Sequence, residues 1–193
     1  MPLKSSLTIA GEHRHHYFAR YGAKKPQPTQ EKAKDCMEFG GRYRVSATRM
    51  KVWAALNDTS VLKNAIPGCH RIEWADQDQL DLEIKVNLGV VQPVFAGDLW
   101  LSGIVPAERY TLSGRGRGGL FGKAEGSADI VLEDIGEDTL LMFTANGGAS
   151  GQVMKLGKAI VGKSAQKVID GFFEHFGDAM GANVEPLGPP RDP

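Results

Sequence analysis

At 193 residues the chain is long enough for one domain with length to spare, and a domain of about 150 residues buries roughly 68–70% of its unfolded surface, so its core needs no disulfide or metal staple. The formal charge is zero but unevenly spread: residues 1–36 hold seven Lys/Arg against three Asp/Glu, which leaves sixteen against twenty in the remainder. That mildly acidic body excludes a nucleic-acid-binding face, which needs clustered cations, and no run approaches the ~18 apolar residues of a spanning helix.

Residues 1–36 are polar and basic without a sustained period, and they read as a poorly ordered extension. His13, His15 and His16 lie there without acidic or cysteine partners at ligand spacing, so they read as surface histidines, and no metal or cofactor is expected. The two cysteines, Cys36 and Cys69, form no C-x-x-C pair, and the N-terminus lacks the apolar core of a secretory signal; a reducing cytoplasm is the expected location.

Glu38 to Val45 alternates apolar and polar residues and predicts a strand. Ser46 or Thr48 then caps a helix with the stripe Val52, Trp53, Leu56, and Asn57-Asp58-Thr59 separates it from a second short helix over SVLKNAI. Pro67 and Gly68 end that helix, so the IPGC stretch is a helix-to-strand corner. Cys69 and His70 are neighbours in a strand, point to opposite faces and cannot share a proton; His175 lacks an acidic third member.

From Cys69 to Asn146 strands recur at intervals of roughly a dozen residues, the spacing of an antiparallel meander. Each has one wet and one dry face. The run Ser113 to Gly126, SGRGRGGLFGKAEG, lacks the strand and helix context of a phosphate-binding loop and reads as a flexible hairpin carrying Arg115 and Arg117. Gln152 to Met180 then shows apolar residues at helical spacing, with Lys155, Lys158, Lys163 and Lys167 on the opposite side. This helix is the cover for the dry face.

Both surfaces are thin where they meet. Gly97, Gly114, Gly126, Ala124 and Ala128 on the strands and Gly157, Ala159, Gly162, Ser164 and Ala165 on the helix supply little side-chain volume, although interiors pack near 0.74 density. The expectation is an apolar pocket between sheet and helix; the alternative is that the glycines mark bulges and curvature over a full core.

The order strand, two short helices, six-stranded meander and long C-terminal helix resembles the helix-grip fold of the START-like (SRPBCC, Bet v 1-like) superfamily, an α+β class in which a curved antiparallel sheet wraps a long helix. More narrowly, VWAALND (Val52 to Asp58), VLKNAIPGC (Val61 to Cys69), FAGDLWL (Phe95 to Leu101), GKAEGSADIVL (Gly122 to Leu132) and the closing GQVMKLGKAIVGKSAQKVIDGFFEHF (Gly151 to Phe176) resemble the carbon monoxide dehydrogenase CoxG family. The resemblance implies a domain over residues 37–181 followed by a proline-rich tail, 182–193. It further implies a non-catalytic partner of a molybdenum-containing carbon monoxide dehydrogenase or related hydroxylase, binding a quinone or lipid and recruiting the enzyme to the inner face of the membrane. Many members carry a longer C-terminal membrane-binding tail than the one here. The ligand-binding residues expected on this reading are Leu82, Ile84, Phe95, Leu99, Phe143, Leu156 and Ile160, with Pro67 and Gly68 shaping the mouth. Two other readings stay open: a cyclase- or hydratase-like enzyme using Tyr43 or Tyr110, and a docking factor with a filled core.

Overall fold

The computed structural model describes residues 36–188. Eight strands form one antiparallel sheet: β1 (Met37–Val45), β2 (Cys69–Trp74), β3 (Gln79–Lys85), β4 (Val94–Val105), β5 (Arg109–Arg117), β6 (Lys123–Ile135), β7 (Asp138–Ser150) and β8 (Val184–Leu187). Their spatial order is β2-β3-β4-β5-β6-β7-β1-β8, a meander from β2 to β7 that β1 extends at the far side. Two short helices, α1 (Arg49–Leu56) and α2 (Thr59–Ala65), follow β1, and one long helix, α3 (Lys158–Met180), follows β7.

Local chemistry explains the boundaries. Asp58 caps α2 through Oδ1, which accepts from the Ser60 and Val61 amides at 2.8 and 3.3 Å; its bonds to Ser60 and Val61 hold its carboxyl below the usual range. Thr48 occupies the cap position of α1, but its side chain makes no capping bond. Thr139, fully buried at the start of β7, donates to the Ala47 carbonyl at 2.7 Å and ties the β1–α1 connection to the sheet.

Three expectations need correction. The long helix does not begin at Gln152: Gly151–Leu156 is a 3₁₀ stretch, and Gly157, at φ 93°, interrupts it before α3 starts. The Ser113–Gly126 run is mostly ladder rather than loop, since β5 continues to Arg117 and β6 begins at Lys123. Its two arginines are engaged on the outer face of β4: Arg117 forms a two-pronged ion pair with Asp98, and Arg115 lies 4.8 Å from the Trp100 ring centre. Finally, Val184–Leu187, expected as tail, pairs with β1 as an edge strand; Pro186 is accommodated there because an edge leaves one side of the ladder without a partner.

The sheet registers place Gly97, Gly116, Ala124 and Ala149 in one cross-strand row, and Leu99, Gly114, Gly126 and Gly147 in the next. Both rows lie on the face turned toward α3. Packing divides at this band. The main cluster joins α1, α2 and the second half of α3 to the sheet through residues such as Val52, Leu132, Leu141 and Phe176. A smaller cluster, Leu88, Phe95, Val153 and Val161, closes the other end, and Ile84 touches both.

Candidate functional site: a cleft beside a thin-walled concave face

The corner after α2 sets one wall of the site. Gly68 has φ 77°, its carbonyl accepts from the Lys85 amide at 2.9 Å, and a methyl group on it would overlap the Lys85 carbonyl. Only glycine fits. The neighbouring Pro67 packs over Gly171 of α3, where a Cβ would lie 2.8 Å from the proline ring. The corner therefore clamps α3 at its middle, and the helix turns before that clamp are held differently from those after it.

After the clamp, α3 is anchored by aromatic stacking. Phe173 lies 3.7 Å from Tyr43 and 5.4 Å from Phe143, centre to centre, and Phe176, fully buried, stacks on Phe172 at 5.3 Å. Before the clamp, a cleft of about 610 Å³ opens between α3, the corner and the chain leaving β3. Pro67, Leu88, Ile160 and Val168 give it apolar walls; Lys85, Asn87, Lys163, Ser164 and Lys167 are its polar members. Its size falls within the roughly 300–1,000 Å³ of ligand pockets.

Beneath α3 the middle of the concave face is incompletely covered. Leu99, Leu112 and Phe39, which point to this face from β4, β5 and β1, are only half-buried, as are Ala128 and Ala145. The close backbone approaches of α3 are to α2, β1 and β8 rather than to β4–β6. Some glycine positions are occupied by neighbours lying flat: a methyl on Gly114 would sit 2.6 Å from Leu99, and one on Gly97 3.0 Å from Leu82. The glycines thus thin the wall and seat leucines at once.

The residues expected from the sequence distribute unevenly over this geometry. Pro67, Gly68 and Ile160 line the cleft. Leu82 and Phe143 are buried in the main cluster, Leu99 packs half-buried against it, Phe95 and Leu156 belong to the smaller cluster, and Ile84 bridges the two. Ser164, one of the small helix residues expected at the seam, also lines it, whereas the sequence pattern does not mark Lys85, Lys163, Lys167 or Leu88, because the lysines follow the wet-face period and α3 is joined to β3 only by the fold.

The titratable side chains nearby are quiet. Cys69 is partly buried, burial raises its thiol, and Sγ lies 3.4 Å from the Arg71 carbonyl, while His70 is exposed. Burial raises the phenols of Tyr43 and Tyr110, the first also facing the Asp170 carboxylate, and Tyr110 packs edge-on to Trp53 at 5.5 Å. Among the described residues there is no group of three metal-ligating side chains, and no helix is long and apolar enough to cross a membrane; His13, His15 and His16 lie outside the described residues.

A curved eight-stranded antiparallel sheet holding one long C-terminal helix, with two short helices after the first strand, defines a helix-grip protein. Solved structures share that architecture. A conserved protein from Geobacillus kaustophilus is 24% identical with a TM-score of 0.68, over 77% of this chain and 99% of that one. The Zhui aromatase/cyclase from Streptomyces sp. R1128 is 15% identical (TM-score 0.52, 75% and 93% covered), and Ara h 8.0201 is 12% identical (TM-score 0.53, 76% and 99% covered). At these identities the likeness concerns the fold alone. The chain belongs to the carbon monoxide dehydrogenase CoxG family, whose model matches residues 41–181. No curated protein gives a significant sequence match.

Proposed function

We propose that this protein is a non-catalytic carrier that takes an apolar molecule, a quinone or a lipid, into the space between α3 and the concave sheet. On this reading it serves a molybdenum-containing carbon monoxide dehydrogenase or related hydroxylase, as the family's name suggests, and brings that enzyme to the cytoplasmic face of a membrane. The observation that carries the proposal is the half-buried state of Leu99, Leu112 and Phe39 in the centre of a face that should be dry, beside an open cleft. Covering such surface is worth about 25 cal/mol per Å², enough for a guest to bind without any chemistry. Tyr43 and Tyr110, the phenols an enzyme would use, are committed to ring packing, which supports carriage over turnover.

The seating of Leu82 and Leu99 over Gly97 and Gly114 favours the second reading, a docking factor whose core fills itself. Native mass spectrometry of the full chain, before and after organic extraction, separates the two. Carriage predicts one co-purified apolar molecule that extraction removes and added quinone or lipid replaces. A bare mass at every stage, with no uptake, would leave only docking.

A further inference from the structure

We propose that the cleft beside the first half of α3 is a head-group site, and that the guest carries an anionic group, a carboxylate or phosphate monoester, on a long apolar chain. The inference rests on the carrier reading above and names its ligand class. Three of the lining side chains are lysines, Lys85, Lys163 and Lys167, and none is acidic, although residues 37–193 hold sixteen Lys/Arg against twenty Asp/Glu. Positive charge is gathered at this mouth against the trend of the body. Among the described residues, no carboxylate pairs with any of the three ammonium groups.

Ser164 supplies the second, independent observation. It is more than nine-tenths buried, it lines the cleft, and its hydroxyl has no hydrogen-bond partner among the described residues. It is not sealed off either, since no fully enclosed side-chain oxygen or nitrogen among the described residues lacks a partner. With its oxygen reachable from the cleft and no protein group engaging it, this hydroxyl is free to donate to a group entering there. An oxyanion accepts from that hydroxyl and from the lysines together. Leu88, Ile160 and Val168 then line the start of the chain.

The test uses the delipidated full chain and four ligands of one chain length: oleic acid, oleyl phosphate, oleyl alcohol and oleylamine, ranked by displacement of a fluorescent apolar probe. Acid and phosphate should bind roughly tenfold tighter than the alcohol at low salt, as three exposed cations of modest individual strength allow. The advantage should shrink as salt screens the lysines, and the amine should bind most weakly. Whichever oxyanion binds tighter identifies the head group, and both outcomes support the site. The variant Lys85→Gln/Lys163→Gln/Lys167→Gln should bring the acid to the level of the alcohol while the alcohol stays within about twofold. Ser164→Ala should weaken both oxyanions more than the amine. Equal binding of acid and alcohol, or a preference unchanged in the triple variant, would overturn the head-group site and leave the apolar carrier standing. Failure of all four ligands would overturn the head-group site, and failure of added quinone to bind as well would overturn the carrier.

Discussion

Gly68→Ala should destabilise the domain by about 2–5 kcal/mol, measured by urea unfolding, and should impair ligand uptake at temperatures where the variant remains folded. Two penalties add. A non-glycine residue in left-handed backbone costs roughly 1–2 kcal/mol, and the new methyl overlaps the Lys85 carbonyl, an overpacking that costs about 1–3 kcal/mol more. Because the overlap involves Cβ itself, Gly68→Asn should fare no better, although asparagine tolerates positive φ. At Gly181, which ends α3 at φ 66° and ψ 45° with open space around it, the same change to asparagine should cost only a few tenths of a kcal/mol. A mild effect of Gly68→Asn would mean that the corner does not press on β3, and the wall of the cleft would lose its anchor.

Phe176→Ala should cost about 3–5 kcal/mol, the range for deleting a fully buried aromatic ring, whereas Ile160→Ala, at a position 46% exposed, should stay within about 0.5 kcal/mol. The contrast follows from the clamp at Pro67 and Gly171. Beyond it, Phe173 stacks with Tyr43 and Phe143, Phe176 stacks on Phe172, and Phe172 meets Phe173 edge-on, so removing one ring leaves a cavity that its neighbours cannot close. Before it, Ile160 borders the cleft and has few protein atoms to lose. Ligand should reverse the ranking: its binding should raise the melting temperature of the wild type, and Ile160→Ala should diminish that rise. Equal destabilisation by the two substitutions would show α3 to be gripped evenly along its length.

Much of the fold could be read directly because it is written in short-range pattern. Period-two runs such as Leu80-Leu82-Ile84 and Tyr110-Leu112 produce the strands, and Pro67-Gly68 produces the corner, since each signal needs only adjacent residues. The features hidden from the sequence are those whose cause lies elsewhere in the chain. Val153 and Leu156 keep the helical spacing of Ile160 and Val161, so the apolar stripe passes through Gly157 even though the backbone does not. Arg115 and Arg117 look solvated until the register sets them beside Asp98 and Trp100. The same holds for the cleft: nothing near Lys85 in sequence announces Lys163 or Lys167, and a lysine on a wet face has the same spacing whether or not it overhangs a mouth.

The concave band gives the most direct test. Ala128 and Ala145 face each other across β6 and β7, half-buried on the thin-walled surface, and the double variant Ala128→Leu/Ala145→Leu fills the space in front of them. The measurement is the unfolding free energy of this variant alongside its retention of the co-purified molecule. A hollow interior predicts unchanged or higher stability, since each methylene newly covered contributes about 0.8 kcal/mol, together with loss of the bound molecule. A stability loss of about 1–3 kcal/mol with ligand retention unaltered would mean that the seam was already full, and the carrier account would fail.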